Sequence, residues 1–414
     1  MELTVAQPCP TCGAEIVLRE DERLLRCDYC DVNNYMVHSS LPRFLLPARL
    51  PTHIQQRDLF YLPYLRFKGV VYTYGGQKVR HSIIDTTRAG SGLEKIPLSL
   101  GLRPQVMNIL PVTANTPGGF IKQSVAAKTV FKEAAKLTTV VSGSRKNKFI
   151  HMAFIGESLS RIYLPVYCHR GALYDGVTRR MLLEEVVSDN LEALSVAGRK
   201  EWEPKFISTL CPGCGDPMEA AGGSLVMICT NCDSGWLEQG GRFEAADGLT
   251  VKGSADCGYV PFWYLKTTTA GAELASFADF LELTNQPVMI RKSHREKQLA
   301  FMVPAFKANP RTYLQAARNF TLRQGLFPDG ERTFKGHRYP VTMPSGEAAQ
   351  SIKSVLAFCA VSHVKIRELI GRLSFTVAAP KLIYLPFRDA GHDVIQEQSG
   401  ISISAAALKY GLKM

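Results

Sequence analysis

The chain has 414 residues, of which 46% are hydrophobic and 21% are charged, a balance typical of a globular protein with buried cores. This composition excludes fibrous, low-complexity and largely disordered proteins, and no apolar run reaches the roughly 18 residues that a membrane-spanning helix needs. A net charge of +12, with nine of the excess positive charges in the first 200 residues, favours nucleic acid, an anionic membrane or an acidic protein as partner, or else serves solubility alone.

Residues 1–8 carry neither the basic segment nor the apolar segment of a secretory signal. We therefore expect a cytoplasmic location. Cysteines in that compartment stay reduced, and paired cysteines there bind metal more often than they form disulfides.

Two CxxC pairs lie near the start of the chain, and their four cysteines are Cys9, Cys12, Cys27 and Cys30. Each pair directs two sulfur atoms toward one point, and Gly13 supplies the flexible position that such a turn needs. The 14 residues between the pairs are enough for a hairpin of two strands that reverses at residues 20–22. Four thiolates close the coordination shell and predict a structural zinc site; iron in the same geometry, a redox dithiol and disulfides are the alternatives.

The next elements are predicted strands at residues 60–84 and 148–174, and each stretch carries a proline among aromatic and aliphatic residues. Because proline cannot donate a ladder hydrogen bond, we expect these strands at a sheet edge, starting near the proline, or bulged there. Between them, apolar residues at steps of three and four predict a helix over 121–137 with a basic side. The stretch 141–148 is predicted as a basic loop, and 179–194 as another helix.

A linker is predicted at residues 196–204. A second cysteine group follows it, formed by Cys211, Cys214, Cys229 and Cys232. Each of its cysteines lies 202 residues after its counterpart in the first group, and Gly215 takes the place of Gly13. The same reasoning predicts a second structural zinc site, with 225–228 as its returning strand. Further helices are predicted at 312–323 and 347–373, and the tail is predicted to contain a short docking helix.

Two other stretches recur in both halves of the chain. Residues 61–68 resemble 259–266, and 162–166 resemble 383–387. Together with the common cysteine spacing, these repeats predict an α+β fold of two duplicated halves, each a small zinc ribbon followed by a strand-rich α+β domain. The predicted domains are zinc ribbon 1 at 1–40, α+β domain 1 at 41–197, zinc ribbon 2 at 205–245, α+β domain 2 at 246–400 and a C-terminal tail at 401–414.

The motif Cys-Pro-x-Cys-Gly opens both cysteine groups, and with the second CxxC pair it resembles the rubredoxin-like zinc-ribbon superfamily. That superfamily includes transcription factors, ribosomal proteins and bacterial adaptors. The resemblance implies two cysteine knuckles around each zinc ion. A ribbon followed by Tyr-x-Pro-aromatic strands also resembles bacterial tandem-ribbon proteins. Neither resemblance implies an activity.

Sequence motifs of common enzymes are missing from the chain: it has no phosphate-binding loop, dinucleotide fingerprint, zinc-protease motif or nucleophile elbow. We therefore expect a non-enzymatic adaptor or scaffold that binds protein partners through its duplicated modules. The second candidate is a nucleic-acid-binding protein, and the third is an enzyme of unrecognised type.

The alternative to an adaptor is nucleic-acid binding by the basic surface of the first half. The residues expected to contact nucleic acid are Lys128, Lys132, Lys136, Arg145, Lys146 and Lys148. The cysteine groups themselves do not favour this alternative. The first is rich in acidic residues, and the second has no Lys or Arg between Cys211 and Cys232.

Overall fold

The computed structural model describes residues 4–19, 23–37, 41–76, 78–141, 149–186, 188–196, 202, 205–221, 223–323, 331 and 336–410. They form a strand-rich α+β protein, as the sequence predicts. The chain divides into two compact units. Unit 1 consists of Met1–Lys68, Ile84–Thr138 and Glu157–Ser208, and unit 2 of Gly69–Ile83, Thr139–Gly156 and Thr209–Met414. The sequence assigns 69–83 and 139–156 to the first α+β domain, whereas here they belong to unit 2.

The strands of the first half are β1 (Thr4–Pro8), β2 (Glu15–Arg19), β3 (Leu24–Arg26), β4 (Asn33–Val37), β5 (Arg43–Leu45), β6 (Leu59–Gly75), β7 (Lys78–Ala89), β8 (Leu110–Pro111), β9 (Gly119–Phe120), β10 (His151–His169), β11 (Ala172–Asp175), β12 (Met181–Leu183) and β13 (Lys205–Ser208). Its helices are α1 (Arg103–Val106), α2 (Thr129–Val141) and α3 (Ser188–Ala193), with a 3-10 turn at Gln56–Asp58. The main sheet has the order β12-β11-β10-β5-β8, and β6 pairs with β10, β7 and β9.

The strands of the second half are β14 (Val226–Cys229), β15 (Ser234–Gln239), β16 (Arg242–Ala245), β17 (Gly248–Thr250), β18 (Gly258–Ala270), β19 (Ala300–Pro304), β20 (Ser374–Val377), β21 (Lys381–Asp389), β22 (Asp393–Gln396) and β23 (Ser402–Ser404). Its helices are α4 (Phe277–Leu283), α5 (Lys292–Glu296), α6 (Pro310–Leu322), α7 (Ser345–Gln350), α8 (Ile352–Cys359), α9 (Val364–Leu369) and α10 (Ala405–Tyr410). The main sheet has the order β19-β18-β21-β22-β23, with β17 on β21 and β20 on β18.

Alternate residues of β6 and β10 pack on opposite faces of the unit 1 sheet. Leu62 and Leu164 join one buried cluster, while Tyr61 and Tyr163 join the other. This alternation follows from the two-residue period of a strand. The strand aromatics therefore fill cores, and the corresponding strands of unit 2 also lie in a single large apolar cluster.

Four prolines lie inside these strands, and of the three positions expected for such strands the sheet edge is wrong. β18 pairs with β19 and β21, and β21 pairs with β18 and β22. Each proline faces the first residue beyond the end of a neighbouring strand, which donates its N–H to the proline carbonyl. These bonds are Gly90 to Pro63, Gly176 to Pro165, Ala305 to Pro261 and Glu397 to Pro386, at 2.7–3.2 Å. The position at which proline cannot donate an N–H is therefore the position at which pairing with the neighbouring strand ends.

The helix predicted over 121–137 begins eight residues later than expected, at Thr129. Ile121 instead forms an isolated antiparallel bridge with Ser195, because it is buried as an extension of β9. Ile121 fits the helical spacing of apolar residues, but its pairing with a distant part of the chain holds it in an extended conformation. The helices predicted at 312–323 and 347–373 are found as α6 and as α7, α8 and α9.

The predicted linker at 196–204 is anchored to unit 1 through Trp202. The indole stacks on Tyr163, meets Phe120 edge-on and lies under the Arg43 guanidinium at 4.6 Å. Residues 197–201 and 203–204 lie outside the described part of the chain. Among the helices that the structure describes, none combines the length and apolar content needed to cross a membrane.

A buried ion pair joins β6 to β7 within unit 1. The Arg66 side chain is 2% exposed and donates from Nε to Asp85 Oδ1 at 2.8 Å and from Nη2 to Oδ2 at 2.6 Å. Such a fork fixes both side chains, and removal of the carboxylate leaves a buried cation without its main counter-charge.

We expect Asp85→Ala to lower the free energy of unfolding by about 3–5 kcal/mol, because desolvation of Arg66 is no longer offset. Urea unfolding followed by circular dichroism measures the change. The control is Lys136→Gln, which removes the exposed pair with Glu133 and should cost less than about 1 kcal/mol. Equal effects of the two substitutions would contradict this account of the buried pair.

Candidate metal centres

The first cysteine group is built by two hairpins. β1 and β2 pair from Thr4↔Arg19 to Pro8↔Glu15, and the loop between them carries Cys9 and Cys12. β3 and β4 pair up to Arg26↔Asn33, and their loop carries Cys27 and Cys30. The strands on either side of the spacer therefore pair outward, to β1 and β4, and the predicted hairpin within the spacer is wrong for this group. The expected reversal at 20–22 lies outside the described residues.

The second cysteine group has the same arrangement with shorter pairing. A bridge between Leu210 and Pro217 closes the loop that carries Cys211 and Cys214. β14 and β15 pair up to Cys229↔Ser234, and the turn between them carries Cys232. Here the spacer does pair with itself, because Glu219 and Ile228 exchange hydrogen bonds at 2.8 and 2.9 Å. The strand predicted at 225–228 is confirmed as β14.

A left-handed residue follows the second cysteine of every CxxC pair. Gly13 and Gly215 have φ of 76° and 86°, as expected for the glycines chosen from the sequence. Asp31 and Asp233, with φ of 54° and 52°, are the left-handed residues that follow the second CxxC pair of each group. Aspartate tolerates this conformation better than most residues, so the Cys-Asp that ends each group was a usable signal in the sequence that our prediction missed.

The four sulfur atoms of each group lie close enough to share one metal ion. All ligand atoms of a group are within 4.8 Å of one another. In the first group Cys9 and Cys30 are 3.7 Å apart and Cys12 and Cys27 are 3.5 Å apart, measured between Sγ atoms. A tetrahedron with metal–sulfur bonds of about 2.3 Å has edges of about 3.8 Å, whereas a disulfide needs about 2 Å.

The second group has similar separations between its sulfur atoms. Cys211 and Cys232 are 3.6 Å apart, and Cys214 and Cys229 are 3.4 Å apart. In each group the first and third cysteines are buried and the second is exposed. The donor sets therefore fit a tetrahedral, thiophilic metal ion, and four protein sulfurs leave no coordination position for a substrate.

Hydrogen bonds hold the sulfurs of the second group in place. The Ser234 hydroxyl lies 2.9 Å from Cys232 Sγ and 3.6 Å from Cys211 Sγ, and Trp236 Nε1 donates to the same hydroxyl at 2.7 Å. The position of Ser234 corresponds to Val32 in the first group, where no hydroxyl is available. Ser234 and Trp236 carry no signal by spacing, so only the structure identifies them.

The first cysteine of each group is tuned toward the thiolate. Burial raises the pKa of the Cys211 thiol, but the Ser234 hydroxyl and the N–H groups of Gly213 and Cys214 outweigh it and lower that pKa to about 6. The pKa of Cys9 is lowered to about 6 in the same way: burial raises it, and hydrogen bonds from the N–H groups of Cys12 and Thr11, together with those of the Cys27 and Cys30 side chains, outweigh burial. Metal binding requires thiolates, so both groups start with one ligand already favoured at neutral pH.

The remaining cysteines are not part of either group. Cys257 and Cys359 are buried, and burial raises the pKa of Cys359 to about 12. Cys168 is half-buried, and burial raises its pKa as well. These values fit inert side chains and not reactive thiols.

The lysines predicted to contact nucleic acid are only partly free. Lys128, Lys132 and Lys136 are exposed, but Lys136 pairs with Glu133 at 3.0 Å, and Arg88 approaches the same carboxylate at 3.5 Å. Arg145, Lys146 and Lys148 lie outside the residues that the structure describes.

Comparison with known proteins adds no relative. No protein-family model, curated protein or solved structure matches the chain.

Metal content offers the first test of the ligand assignment. We expect Cys27→Ser and Cys229→Ser each to lose about one metal ion per chain, because a broken tetrahedron no longer closes a site. Mass spectrometry of the purified protein for metals measures the loss. Cys168→Ser is the control and should keep both ions; unchanged metal content in both ligand variants would refute the assignment.

The Ser234 hydroxyl provides a second test. Ser234→Ala removes a donor that lowers the pKa of Cys211, so we expect metal affinity of the second group to fall by about 10-fold or more and its release on acidification to begin at higher pH. Competition with a chromophoric chelator at several pH values measures both effects. Val32→Ala at the matching position of the first group should change neither.

Proposed function

We propose that the chain is a non-enzymatic, zinc-binding adaptor that joins protein partners through two related modules. The observation that carries the proposal is the closed shell of four cysteines in both metal centres. A catalytic zinc ion keeps an open position for water or substrate, whereas a closed shell holds the polypeptide together.

Zinc is the metal that this donor set favours. Four thiolates at the spacing of a tetrahedron select zinc or iron, and zinc suits a site that is built only to fix structure. The resemblance to the zinc-ribbon superfamily supports the same assignment. Metal analysis of protein isolated from its own cells distinguishes the two ions.

Exposed leucines in unit 1 support a protein partner. A groove of about 300 Å³ lies between β7, the loop 98–102 and α2. Leu98, Leu102 and Leu137 line it and are 63%, 68% and 40% exposed. Single exposed apolar residues are common, but three around one groove form a surface that suits an apolar side chain from a partner.

We also propose that the two halves are copies of one ancestral module. The parallel pair β5 and β10 is matched by β17 and β21, with Tyr163 and Tyr384 each at the last paired position. The proline contacts described above recur in both units. Two modules in one chain can engage two sites at once and gain affinity by proximity.

Nucleic-acid binding is the second candidate, carried by the positive charge of the first half. Base stacking by the Tyr-x-Pro strands gains no support, because Tyr61, Tyr163, Trp263 and Tyr384 are all buried. The remaining basis for this candidate is electrostatic attraction between the positively charged surface and the phosphates of a nucleic acid, which weakens as salt rises.

We expect the zinc-replete chain to retain specific proteins from an extract of its own cells after nuclease treatment, because apolar contacts do not need nucleic acid. Quantitative mass spectrometry of cross-linked, captured proteins is the measurement. The double substitution Leu98→Asp and Leu102→Asp should reduce capture of at least one protein by 10-fold or more, since charge in the groove opposes burial of an apolar side chain. Leu194→Asp is the control, because Leu194 is 44% exposed and lies outside the groove.

The nucleic-acid candidate predicts a different pattern. Fluorescence anisotropy would then report tight binding of oligonucleotides at low salt, with an affinity that falls steeply as salt rises. Capture that disappears with nuclease, together with such a salt slope, would overturn the adaptor proposal. Weak or absent oligonucleotide binding agrees with it.

A further inference from the structure

A second groove, of about 650 Å³, lies within unit 2 between helix α6 and strand β23. It is lined by polar side chains at its sides and by apolar atoms of Ile403 and Val361. Its volume is within the range of ligand-binding clefts. The metal centres and the leucine groove of unit 1 contribute nothing to its lining.

The polar side chains of this groove have unused hydrogen-bonding capacity. In the part of the chain that the structure describes, they make no hydrogen bond with one another or with their surroundings. They are Thr312, Gln315, Arg318 and Asn319 of α6 and Ser402 and Ser404 of β23. Two amides, three hydroxyls and one guanidinium therefore line one surface without internal partners.

Arg318 is the only charged residue in the lining. It is half-buried, and it forms no ion pair within the described ranges. The neighbouring Cys359 is a neutral thiol at neutral pH, because burial raises its pKa to about 12, and it does not balance the charge. A guanidinium in this position is a ready partner for a carboxylate.

The backbone of β23 is also open along the groove. Gln396 donates to the Ile401 carbonyl, and Ala405 donates to the His392 carbonyl, which fixes the alternation of the β22–β23 ladder. Ser402 therefore lies at a position that is not bonded to β22, and its N–H and C=O point away from that strand. Over the residues described, β23 pairs with no strand other than β22.

We propose that this groove binds an extended peptide segment of a partner protein, which adds to the free edge of β23 and places an acidic side chain on Arg318. The strand edge supplies main-chain hydrogen bonds, the amides and hydroxyls of α6 bind the outer face of the peptide, and Arg318 sets its register. The inference rests on the proposed protein-binding function and assigns it a surface and a ligand class.

Charge and shape both favour a peptide over other ligands. A single arginine among neutral groups suits one carboxylate, whereas a nucleic acid or a phosphate-rich ligand requires several cations. The N–H and C=O of Ser402 form a donor and acceptor pair that the backbone of another extended chain matches.

The test begins with a library of random octapeptides displayed on phage and selected on the zinc-replete full chain. We expect enriched sequences to share Asp or Glu at one fixed position. The best sequence is then synthesised with a fluorescent label, and its Kd is measured by anisotropy. Arg318→Gln should weaken binding by about 10-fold or more, because a charge-assisted bond is lost. Arg388→Gln, at an exposed arginine of β21 outside the groove, is the matched control and should leave Kd unchanged.

Two further measurements separate this geometry from a non-specific effect. Replacing the acidic residue of the peptide by its amide should weaken binding to the unaltered chain but not to the Arg318→Gln variant, as expected for two groups in direct contact. N-methylation of the peptide backbone should weaken binding at the residue that pairs with Ser402 and not at its two neighbours, because the amides of those neighbours face away from β23. Circular dichroism and zinc content confirm that each variant is folded.

The inference is overturned if no peptide is enriched, if the acidic residue and Arg318 contribute independently, or if N-methylation weakens binding equally at neighbouring residues of the peptide. A partner that is still captured through Leu98 and Leu102 would then leave the adaptor function standing while this surface is excluded. If neither peptide binding at this groove nor partner capture through Leu98 and Leu102 is observed, both the proposed function and the proposed surface are wrong.

Discussion

Buried strands must pair every backbone group, and the strands that organise both units meet this requirement with a proline in their interior. β6 and β10 are covered on both faces, so water cannot replace a missing ladder bond. The structure satisfies the constraint by ending the neighbouring strand opposite each proline, and the proline carbonyl still accepts a bond from the residue beyond that end. The end points of β7, β11, β19 and β22 coincide with this match.

The first cysteine group has the opposite problem, because the apolar core around it is small. Around the first group the buried apolar side chains are those of Cys9, Leu25 and Cys27. A cluster of that size is small beside the conformational entropy of its hairpins, so a metal ion held by the four cysteines would contribute folding free energy. The cysteines lie in hairpin loops that left-handed residues such as Gly13 and Asp31 close, and each loop therefore presents its two sulfurs in a fixed direction.

The sequence predicted best what depends on short stretches of chain. The eight cysteines were identified because a CxxC turn fixes its own geometry, and the helices α6 and α8 were identified because their apolar period is local. The start of α2 was missed because Ile121 pairs with Ser195, more than 70 residues away. The pairing of β13 with β4 was missed for the same reason, since no local pattern relates residues 205–208 to 33–37. The contacts of the Ser234 hydroxyl with the sulfurs of Cys211 and Cys232 depend on the folded structure, and the spacing of residues in the sequence does not reveal them.

The prolines have a consequence for how such a chain can change over generations. Lengthening β7, β11, β19 or β22 by one residue would place a carbonyl opposite a ring nitrogen that has no hydrogen to give. The end of each of these strands is therefore fixed by the proline opposite it, whereas length differences can be accommodated in the connecting loops. The spacing between the similar stretches of the two halves changes from 202 residues at the cysteines to 221 at the last proline strand, so the length differences lie in the segments between these features.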